Sequence, residues 1–135
     1  MPEGCRRRSC CPSRGGPGLG NRLLICEDEP LIAWDIEAEM RSRGWDVAGP
    51  AGNAADALAI LSHTPVDAAL LDIELGDGDS FEVARALVGQ AVPVVFLSGH
   101  SREVLPDDLA HLGIHAKPVA FERLDRALRS AARER

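Results

Sequence analysis

The chain has 135 residues, of which 45% are hydrophobic and 27% charged, and its formal net charge is −6. The length suits one compact domain, and the composition excludes general disorder. The acidic balance has the wrong sign for non-specific nucleic-acid binding, and 4% aromatic residues without tyrosine are too few for a base-stacking surface. No apolar run approaches the roughly 20 residues of a membrane span. We therefore expect one acidic domain that neither binds nucleic acid nor crosses a membrane.

Residues 1–20 differ from the rest of the chain in charge and composition. Four arginines and one glutamate give this segment a charge of +3, so residues 21–135 carry −9. It is also rich in Gly and Pro, contains three cysteines and lacks hydrophobic periodicity. Such a segment cannot bury enough apolar surface to offset the entropy of ordering. We predict a flexible tail over 1–20 and a folded domain over 21–133.

The four cysteines do not have the pattern of a metal site. Cys5, Cys10 and Cys11 form no CxxC pair, and Cys26 lies in an apolar run. A structural zinc site needs four ligands at characteristic spacings. We expect Cys26 to be a small buried hydrophobe, and reduced thiols to place the protein in the cytoplasm.

After the tail, short apolar runs alternate with helical periods. Residues 23–26 are predicted to form a buried strand. Ile32, Ile36 and Met40 then recur every four residues, which predicts the inner face of a helix that stops at Gly44.

The second and third units repeat this pattern. A strand is predicted over 45–48, and Asn53 is expected to cap the helix that follows. A third strand over 66–71 precedes a helix that begins at Ser80. The inward-facing residues of the second helix are predicted to be Ala55, Leu58 and Leu61.

The last two units complete the domain. A fourth strand over 93–97 is followed by a helix marked by Leu105, Leu109 and Leu112. A short strand over 114–116 leads to a final helix. The expected inner residues of that helix are Phe121, Leu124, Leu128 and Ala131. Continuously apolar strands and five strand–helix units predict an α/β fold with a doubly wound, five-stranded parallel sheet and five helices.

Polar residues follow four of these strands. Glu27, Asp28 and Glu29 follow the first strand, and of these Glu29 is best explained as the start of a helix. Asp72 follows the third strand, Ser98 the fourth and Lys117 the fifth. Each residue alone has an ordinary structural explanation, such as a helix start or a turn. Ligands of open α/β sheets bind at the carboxyl ends of the strands, so these residues together indicate one site.

Clustered carboxylates repel one another unless a cation lies between them. Mg²⁺, with Mn²⁺ as an alternative, suits one or two carboxylates together with phosphate oxygens. Asp72 is then a candidate nucleophile toward phosphorus. Lys117 would supply positive charge and Ser98 a hydrogen bond to the phosphoryl group.

The motifs LLICEDEP, ALLDIEL, VVFLSG and HAKP resemble those of the response-regulator receiver domain of bacterial two-component signalling, in particular its single-domain chemotaxis type. The resemblance spans residues 21–133. It implies a flavodoxin-like sheet with strand order 2-1-3-4-5. It also implies phosphorelay signal transduction, with Asp72 phosphorylated by a histidine kinase or a histidine phosphotransfer protein.

The same resemblance implies roles for the site residues. Ser98 would be the switch hydroxyl and Lys117 would pair with the phosphoryl group. The magnesium ligands that it implies are Asp28, Asp72, the backbone carbonyl of Glu74 and, through water, Glu27. The domain would not be an enzyme in the ordinary sense, because it would catalyse only its own phosphorylation and dephosphorylation. Output would pass to a downstream protein, to a phosphate relay or through a phosphorylation-dependent homodimer, and the output surface would be the fourth helix, fifth strand and fifth helix.

Three positions near this site call for separate hypotheses. Ile114 stands where the family usually has Tyr or Phe, three residues before the lysine, so the usual aromatic coupling is in doubt. Glu74, two residues after Asp72, is predicted to tune the lifetime of the aspartyl phosphate. His100, two residues after Ser98, is a second candidate for that tuning.

Other functional classes fit the residues less well. A haloacid-dehalogenase-type phosphatase uses an aspartate nucleophile with an acid two residues later, as in Asp72-Ile73-Glu74, but its nucleophile follows the first strand. Glycines at 15–21 suggest a nucleotide-binding loop, but they precede the first strand and do not match G-x-G-x-x-G. A degenerate receiver that serves as a phosphorylation-independent interaction module stays an alternative.

Overall fold

A computed structural model describes residues 21–75, 78–99, 105–117 and 119–133, so the predicted tail lies outside the described residues. The strands are β1 (Arg22–Cys26), β2 (Asp46–Ala51), β3 (Ala68–Asp72), β4 (Glu74–Leu75), β5 (Gly78–Asp79), β6 (Val94–Ser98) and β7 (Gly113–Ala116). Five of them form a parallel sheet in the order β2-β1-β3-β6-β7, and β4 and β5 form a separate antiparallel pair. Without that pair the order is 2-1-3-4-5, which confirms the predicted sheet.

The α-helices are α1 (Pro30–Ser42), α2 (Ala54–Leu61), α3 (Phe81–Gly89) and α4 (Phe121–Arg133). In place of the fourth predicted helix, the one marked by Leu105, Leu109 and Leu112, the described residues hold only a short 3₁₀ helix, Asp107–Leu109, after Pro106. Proline lacks an N–H and disfavours the helical conformation of the residue before it, so an α-helix cannot run smoothly through 105–107. None of the helices in the described part of the chain is long and apolar enough to cross a bilayer.

The sheet is covered on both faces, as its apolar strands require. Leu71 and Phe96 pack on one side with residues of α2 and α3, and the Phe96 ring meets Phe81 edge-on at 6.1 Å between centroids. Leu70 and Leu97 pack on the other side with residues of α1 and α4. All five residues of β3 are buried, so the central strand lies entirely within the core.

The residues on the inner faces of α1 and α2 differ in part from those predicted. Ile36 and Met40 of α1 are buried as predicted, but Ile32 is 38% exposed. Ile32 lies in the first turn of α1 and lines the cleft described below. In α2, Leu58 and Leu61 pack against the core as predicted, but Ala55 is exposed and Ala57 is the fully buried alanine.

The two predicted helix starts have different local structures. Asn53 caps α2 as predicted, because its Oδ1 accepts a hydrogen bond from the Asp56 N–H at 2.7 Å. Ser80 precedes α3 but does not cap it with its side chain. Its buried hydroxyl instead donates to the Ile73 carbonyl at 3.4 Å. The Asp79 side chain accepts from the Phe81 N–H at 3.0 Å. The side-chain acceptor at the start of α3 is therefore Asp79 and not the predicted Ser80.

An irregularity within β2, where its pairing with β1 shifts register between Ala48 and Ala51, requires glycine. Gly49 has φ of +101°, in the left-handed region, and a Cβ there would lie 3.0 Å from the Ile25 carbonyl oxygen and the Ala51 nitrogen. This residue therefore permits the close approach of β2 to β1 beside the site.

A polar cluster ties α4 to the turn after α1. The Trp45 Nε1–H donates to Asp125 Oδ1 at 2.7 Å, and Arg129 donates to the same oxygen at 2.9 Å. The Arg129 guanidinium also lies 4.8 Å from the centre of the Trp45 ring. Because Trp45 is only 4% exposed, its N–H depends on this carboxylate for a partner.

We expect Asp125→Ala to lower the free energy of unfolding by about 1–2 kcal/mol, because it leaves the buried indole N–H of Trp45 without this acceptor. Urea unfolding followed by circular dichroism measures the change. Glu122→Ala, at an exposed position of the same helix, is the control and should cost no more than about 0.5 kcal/mol. Equal losses in the two variants would contradict this role of Asp125.

Candidate functional site

The register of the parallel sheet brings the predicted site residues to one edge. Cys26 pairs with Leu71, which sets Glu27 beside Asp72 at the ends of β1 and β3. Asp72 pairs with Leu97, and Ser98 pairs with Ala116, so Lys117 follows directly at the same edge. The Lys117 backbone N–H donates to the Ser98 carbonyl at 2.9 Å. Strand direction alone therefore gathers residues that are 90 positions apart in the sequence.

Three carboxylates meet at this edge. Glu27, Asp28 and Asp72 each place an oxygen within 4.8 Å of the others. Glu27 is 3% exposed and Asp72 7% exposed, whereas Asp28 is open to solvent. They border a cleft of about 250 Å³. The lining residues of this cleft are Glu27, Asp28, Glu29, Ile32, Asp72, Glu74, Gly99 and Lys117.

Lys117 bridges two of these carboxylates. Its Nζ lies 2.8 Å from Glu27 Oε1 and 2.8 Å from Asp72 Oδ2. The other Glu27 oxygen, Oε2, accepts from the Glu29 N–H at 3.1 Å. One lysine faces three acids, so the cluster keeps a net negative charge that attracts a further cation.

The titration of the bridged pair reflects both burial and this contact. Burial raises the pKa of Glu27, and the hydrogen bonds from Lys117 and the Glu29 N–H offset only part of that rise. Burial lowers the pKa of Lys117, but its hydrogen bonds to Asp72 and Glu27 outweigh burial and leave that pKa raised. Lys117 is therefore charged at neutral pH and is held against Asp72.

The donor set fits a hard divalent cation. All three groups offer carboxylate oxygen, and no soft sulfur or imidazole ligand is present in the described cluster. Mg²⁺ prefers such oxygen ligands and keeps part of its water shell, which the exposed side of the cleft at Asp28 accommodates. Lys117 forms ion pairs with both Glu27 and Asp72. A bound cation would therefore compete with the lysine for these carboxylate oxygens.

The remaining predicted residues lie at different distances from this cleft. Ser98 ends β6 and is 4% exposed, and its neighbour Gly99 lines the cleft. Glu74 lies on β4, is exposed and lines the cleft. Ile114 of β7 is 43% exposed. His100 lies outside the described residues.

Sequence reasoning gave Glu29 only as a helix start, and it missed the two short strands beside the cleft. Glu29 is the N-cap of α1, where its side chain accepts from the Leu31 N–H at 3.5 Å, and Pro30 occupies the first helical position. The run of three acids followed by proline was a signal for this helix start. The pairing of Glu74 with Asp79 in β4 and β5 was missed, because strands of two residues have no hydrophobic period.

Cys26 immediately precedes this site but is chemically protected. It is 1% exposed, and burial raises the pKa of its thiol to about 12. Only the thiolate is nucleophilic, so we expect Cys26 to resist iodoacetamide in the folded protein at about pH 8. Unfolding in urea should add one label at Cys26, located by peptide mapping. Labelling of native Cys26 at the rate of a free thiol would contradict its burial.

Comparison with known proteins identifies the family. Residues 23–129 match the response regulator receiver domain. The chain is 27% identical over 114 residues to the transcriptional regulatory protein PdtaR of Mycobacterium tuberculosis, covering 82% of this chain and 56% of that protein. It therefore spans little more than half the length of that curated relative.

Two solved structures extend the comparison. SdrG from Sphingomonas melonis Fr1 is 32% identical, with a TM-score of 0.72, over 87% of this chain and 98% of that one. The receiver domain of the sensor histidine kinase PA1611 from Pseudomonas aeruginosa is 27% identical, with a TM-score of 0.70, over 84% and 98% of the two chains. That structure has a magnesium ion coordinated in its active-site cleft. With the sheet order, the acidic cleft and these matches in agreement, the chain belongs to the response regulator receiver domain family.

Proposed function

We propose that the chain accepts a phosphoryl group on Asp72 and thereby carries a signal in a phosphorelay. The observation that carries this proposal is the position of Asp72, whose Oδ2 lies 2.8 Å from the Lys117 ammonium in a cleft lined by acids. Membership of the receiver family supports phosphorelay signalling. A histidine kinase or a histidine phosphotransfer protein is the proposed donor, and a downstream protein is the proposed target.

The proposed reaction is a phosphoryl transfer between two side chains. An Asp72 carboxylate oxygen attacks phosphorus and forms the P–O bond, while the P–N bond of the donor phosphohistidine breaks. The electron pair of that bond stays on the imidazole nitrogen. Lys117 then pairs with the negative phosphoryl oxygens, which it can do because its Nζ already lies beside Asp72. Hydrolysis by water restores the carboxylate, so the domain catalyses only its own modification and its removal.

The proposed cation is Mg²⁺, or Mn²⁺ in its place. Asp28, Asp72 and the backbone carbonyl of Glu74 would hold it, and Glu27 would act through water. When bound, the cation neutralises charge on the transferring phosphoryl group. Both Glu27 oxygens already accept hydrogen bonds, from Lys117 and from Glu29, which supports an indirect role for this residue.

Ser98 is proposed as the hydroxyl that hydrogen-bonds to the phosphoryl group. It ends β6 next to β7, and its carbonyl already anchors the Lys117 backbone. Ile114 on β7 replaces the aromatic residue that the family usually has there, and its aliphatic side chain is 43% exposed. The response to phosphorylation at this position therefore involves a smaller side chain without a ring to turn inward.

Intact-mass spectrometry after incubation with acetyl phosphate tests the proposal. We expect one phosphoryl adduct that requires Mg²⁺ and disappears when EDTA is present. Phosphoramidate, which carries a P–N bond like that of phosphohistidine, should give the same adduct. No adduct from either donor would favour the alternative function, a phosphorylation-independent protein-interaction module.

Glu74 offers a prediction about the lifetime of the modification. Its exposed side chain lines the cleft two residues after Asp72, and its negative charge is expected to affect the approach of water to the aspartyl phosphate. We expect Glu74→Ala to change the decay rate several-fold, about 1 kcal/mol in the barrier. Decay is followed by loss of the phosphoryl adduct after donor removal. Glu82→Ala, at an exposed position on α3, is the control, and equal decay in Glu74→Ala and wild type would contradict the prediction.

A further inference from the structure

One buried hydroxyl lies outside the set of groups that the proposed reaction uses. Four polar or charged side chains are buried in the described part of the chain, and three of them, Glu27, Asp72 and Ser98, belong to the site. The fourth is Ser80, which is 0% exposed at the junction of β5 and α3. A hydroxyl removed from water costs free energy unless it finds a hydrogen-bond partner. The partner of Ser80 therefore indicates what this residue does.

Ser80 binds the residue that follows the proposed phosphoacceptor, Asp72. Its backbone N–H donates to the Ile73 carbonyl at 3.0 Å, and its hydroxyl donates to the same oxygen at 3.4 Å. The Ile73 N–H donates in turn to the Leu97 carbonyl of β6 at 3.0 Å. The Ser80 carbonyl accepts from the Ala84 N–H at 3.0 Å, so Ser80 is itself fixed at the start of α3. The residue next to Asp72 is therefore tied to the sheet on one side and to a helix on the other.

These hydrogen bonds limit where the backbone of Glu74 can lie. Its two neighbours, Ile73 and Leu75, are buried in the same apolar core, whereas Glu74 is exposed and lines the cleft. Glu74 also pairs with Asp79, so β4 and β5 lie antiparallel directly before Ser80. Consecutive Cα atoms are held about 3.8 Å apart by the covalent chain. Anchors at Ile73 and Leu75 therefore leave the Glu74 carbonyl between them little freedom.

We propose that Ser80 is a positioning residue for the divalent cation, and that it acts by holding the backbone carbonyl of Glu74 at the cleft. The inference rests on the proposed function, in which this carbonyl is a ligand of Mg²⁺. Ser80 is not among the residues that line the cleft, so its effect passes through Ile73 and Glu74. Mg²⁺ demands nearly ideal octahedral geometry, whereas Ca²⁺ accepts flexible arrangements of oxygen ligands at longer distances. Loss of the Ser80 hydroxyl therefore weakens the binding of Mg²⁺ more than that of Ca²⁺.

Titration calorimetry of the full chain with magnesium chloride and with calcium chloride tests this assignment. We expect Ser80→Ala to raise the Mg²⁺ dissociation constant about tenfold, the lower end of the effect of losing a partner of a metal ligand, because its backbone N–H still binds Ile73. The Ca²⁺ dissociation constant should change by no more than about twofold. Val66→Ala is the control for stability, because Val66 is buried in the same core but precedes β3, at the end opposite the cleft. It should lower the urea midpoint without changing either dissociation constant.

Two results would overturn the role of Ser80. The first is equal Mg²⁺ affinity in Ser80→Ala and wild type. The second is an equal loss of affinity for Mg²⁺ and Ca²⁺, which would indicate general damage to the cleft and not a displaced ligand. Cation binding is measured without a phosphoryl donor, so the absence of a phosphoryl adduct in wild type would contradict the proposed function and not the role of Ser80. A wild type that binds no Mg²⁺ would overturn both.

Discussion

Replacement of Asp72 by Asn is expected to abolish phosphoryl uptake from acetyl phosphate. The amide matches the carboxylate in shape but is not a nucleophile toward phosphorus, and it removes one of the three charges that attract the cation. The loss should be complete within the detection limit of intact-mass spectrometry. The fold should persist, because Asn retains an oxygen that can accept the hydrogen bond from Lys117.

The matched control for this experiment is Asp67→Asn. Asp67 precedes the same central strand at the opposite edge of the sheet, where its Oδ2 accepts from the Arg22 N–H at 2.9 Å. This variant should take up phosphate as wild type does. An adduct of normal yield on Asp72→Asn would place the acceptor on another residue, which tandem mass spectrometry of the digested protein would identify.

Removal of the Lys117 side chain should have the second largest effect. It is the only lysine in the sequence, and it supplies the ammonium that contacts both Glu27 and Asp72. We expect Lys117→Ala to lower the rate of phosphoryl uptake about 100-fold, the typical effect of losing one charged donor to a developing anion. At the same time, Mg²⁺ should bind the unphosphorylated protein about tenfold more tightly, because the competing cation is gone.

The two effects of this substitution have opposite signs, and this distinguishes them from simple unfolding. Mg²⁺ affinity is measured by titration calorimetry, and uptake by the time course of the phosphoryl adduct. Lys117→Arg is the control: it keeps the positive charge, so its Mg²⁺ affinity should stay close to that of wild type. Weaker Mg²⁺ binding by Lys117→Ala would contradict competition between the lysine and the cation.

Lys117→Ala should also change how stability depends on pH. Burial raises the pKa of Glu27, so the folded state binds its proton more tightly than the unfolded state does. Stability therefore falls as pH rises from the ordinary glutamate value through the raised value in the folded protein. Loss of Lys117 removes a contact that favours the ionised form, so the fall in stability should become larger and should extend to higher pH. Urea unfolding at several pH values measures it.

Strands and their order of appearance could be predicted from the sequence because this fold has a simple local signature. A strand buried on both faces must be apolar without alternation. The continuous apolar run 68–71 can therefore be recognised as such a strand from the sequence. The site followed from the same fact. In a parallel sheet the ends of all strands point the same way, so the polar residues that follow them must converge.

Features that depend on packing between distant elements could not be predicted in this way. Ile32 continues the apolar period of α1, yet it is 38% exposed because it borders the open cleft. Leu105, Leu109 and Leu112 have helical spacing, yet the described segment holds only the 3₁₀ helix Asp107–Leu109 after Pro106. The spacing of apolar residues alone does not specify where a helix lies relative to the sheet.

The sequence by itself determined the set of chemical groups at the site, namely the acids of Glu27, Asp28 and Asp72 and the amine of Lys117. Only the tertiary structure decided which of these groups contact one another and which lies open to solvent. The register of β1 with β3 and of β6 with β7 sets Lys117 2.8 Å from both Glu27 and Asp72, and leaves Asp28 toward solvent. Such distances depend on strand pairing across the sheet, which involves residues far apart in the chain, and no local pattern specifies them.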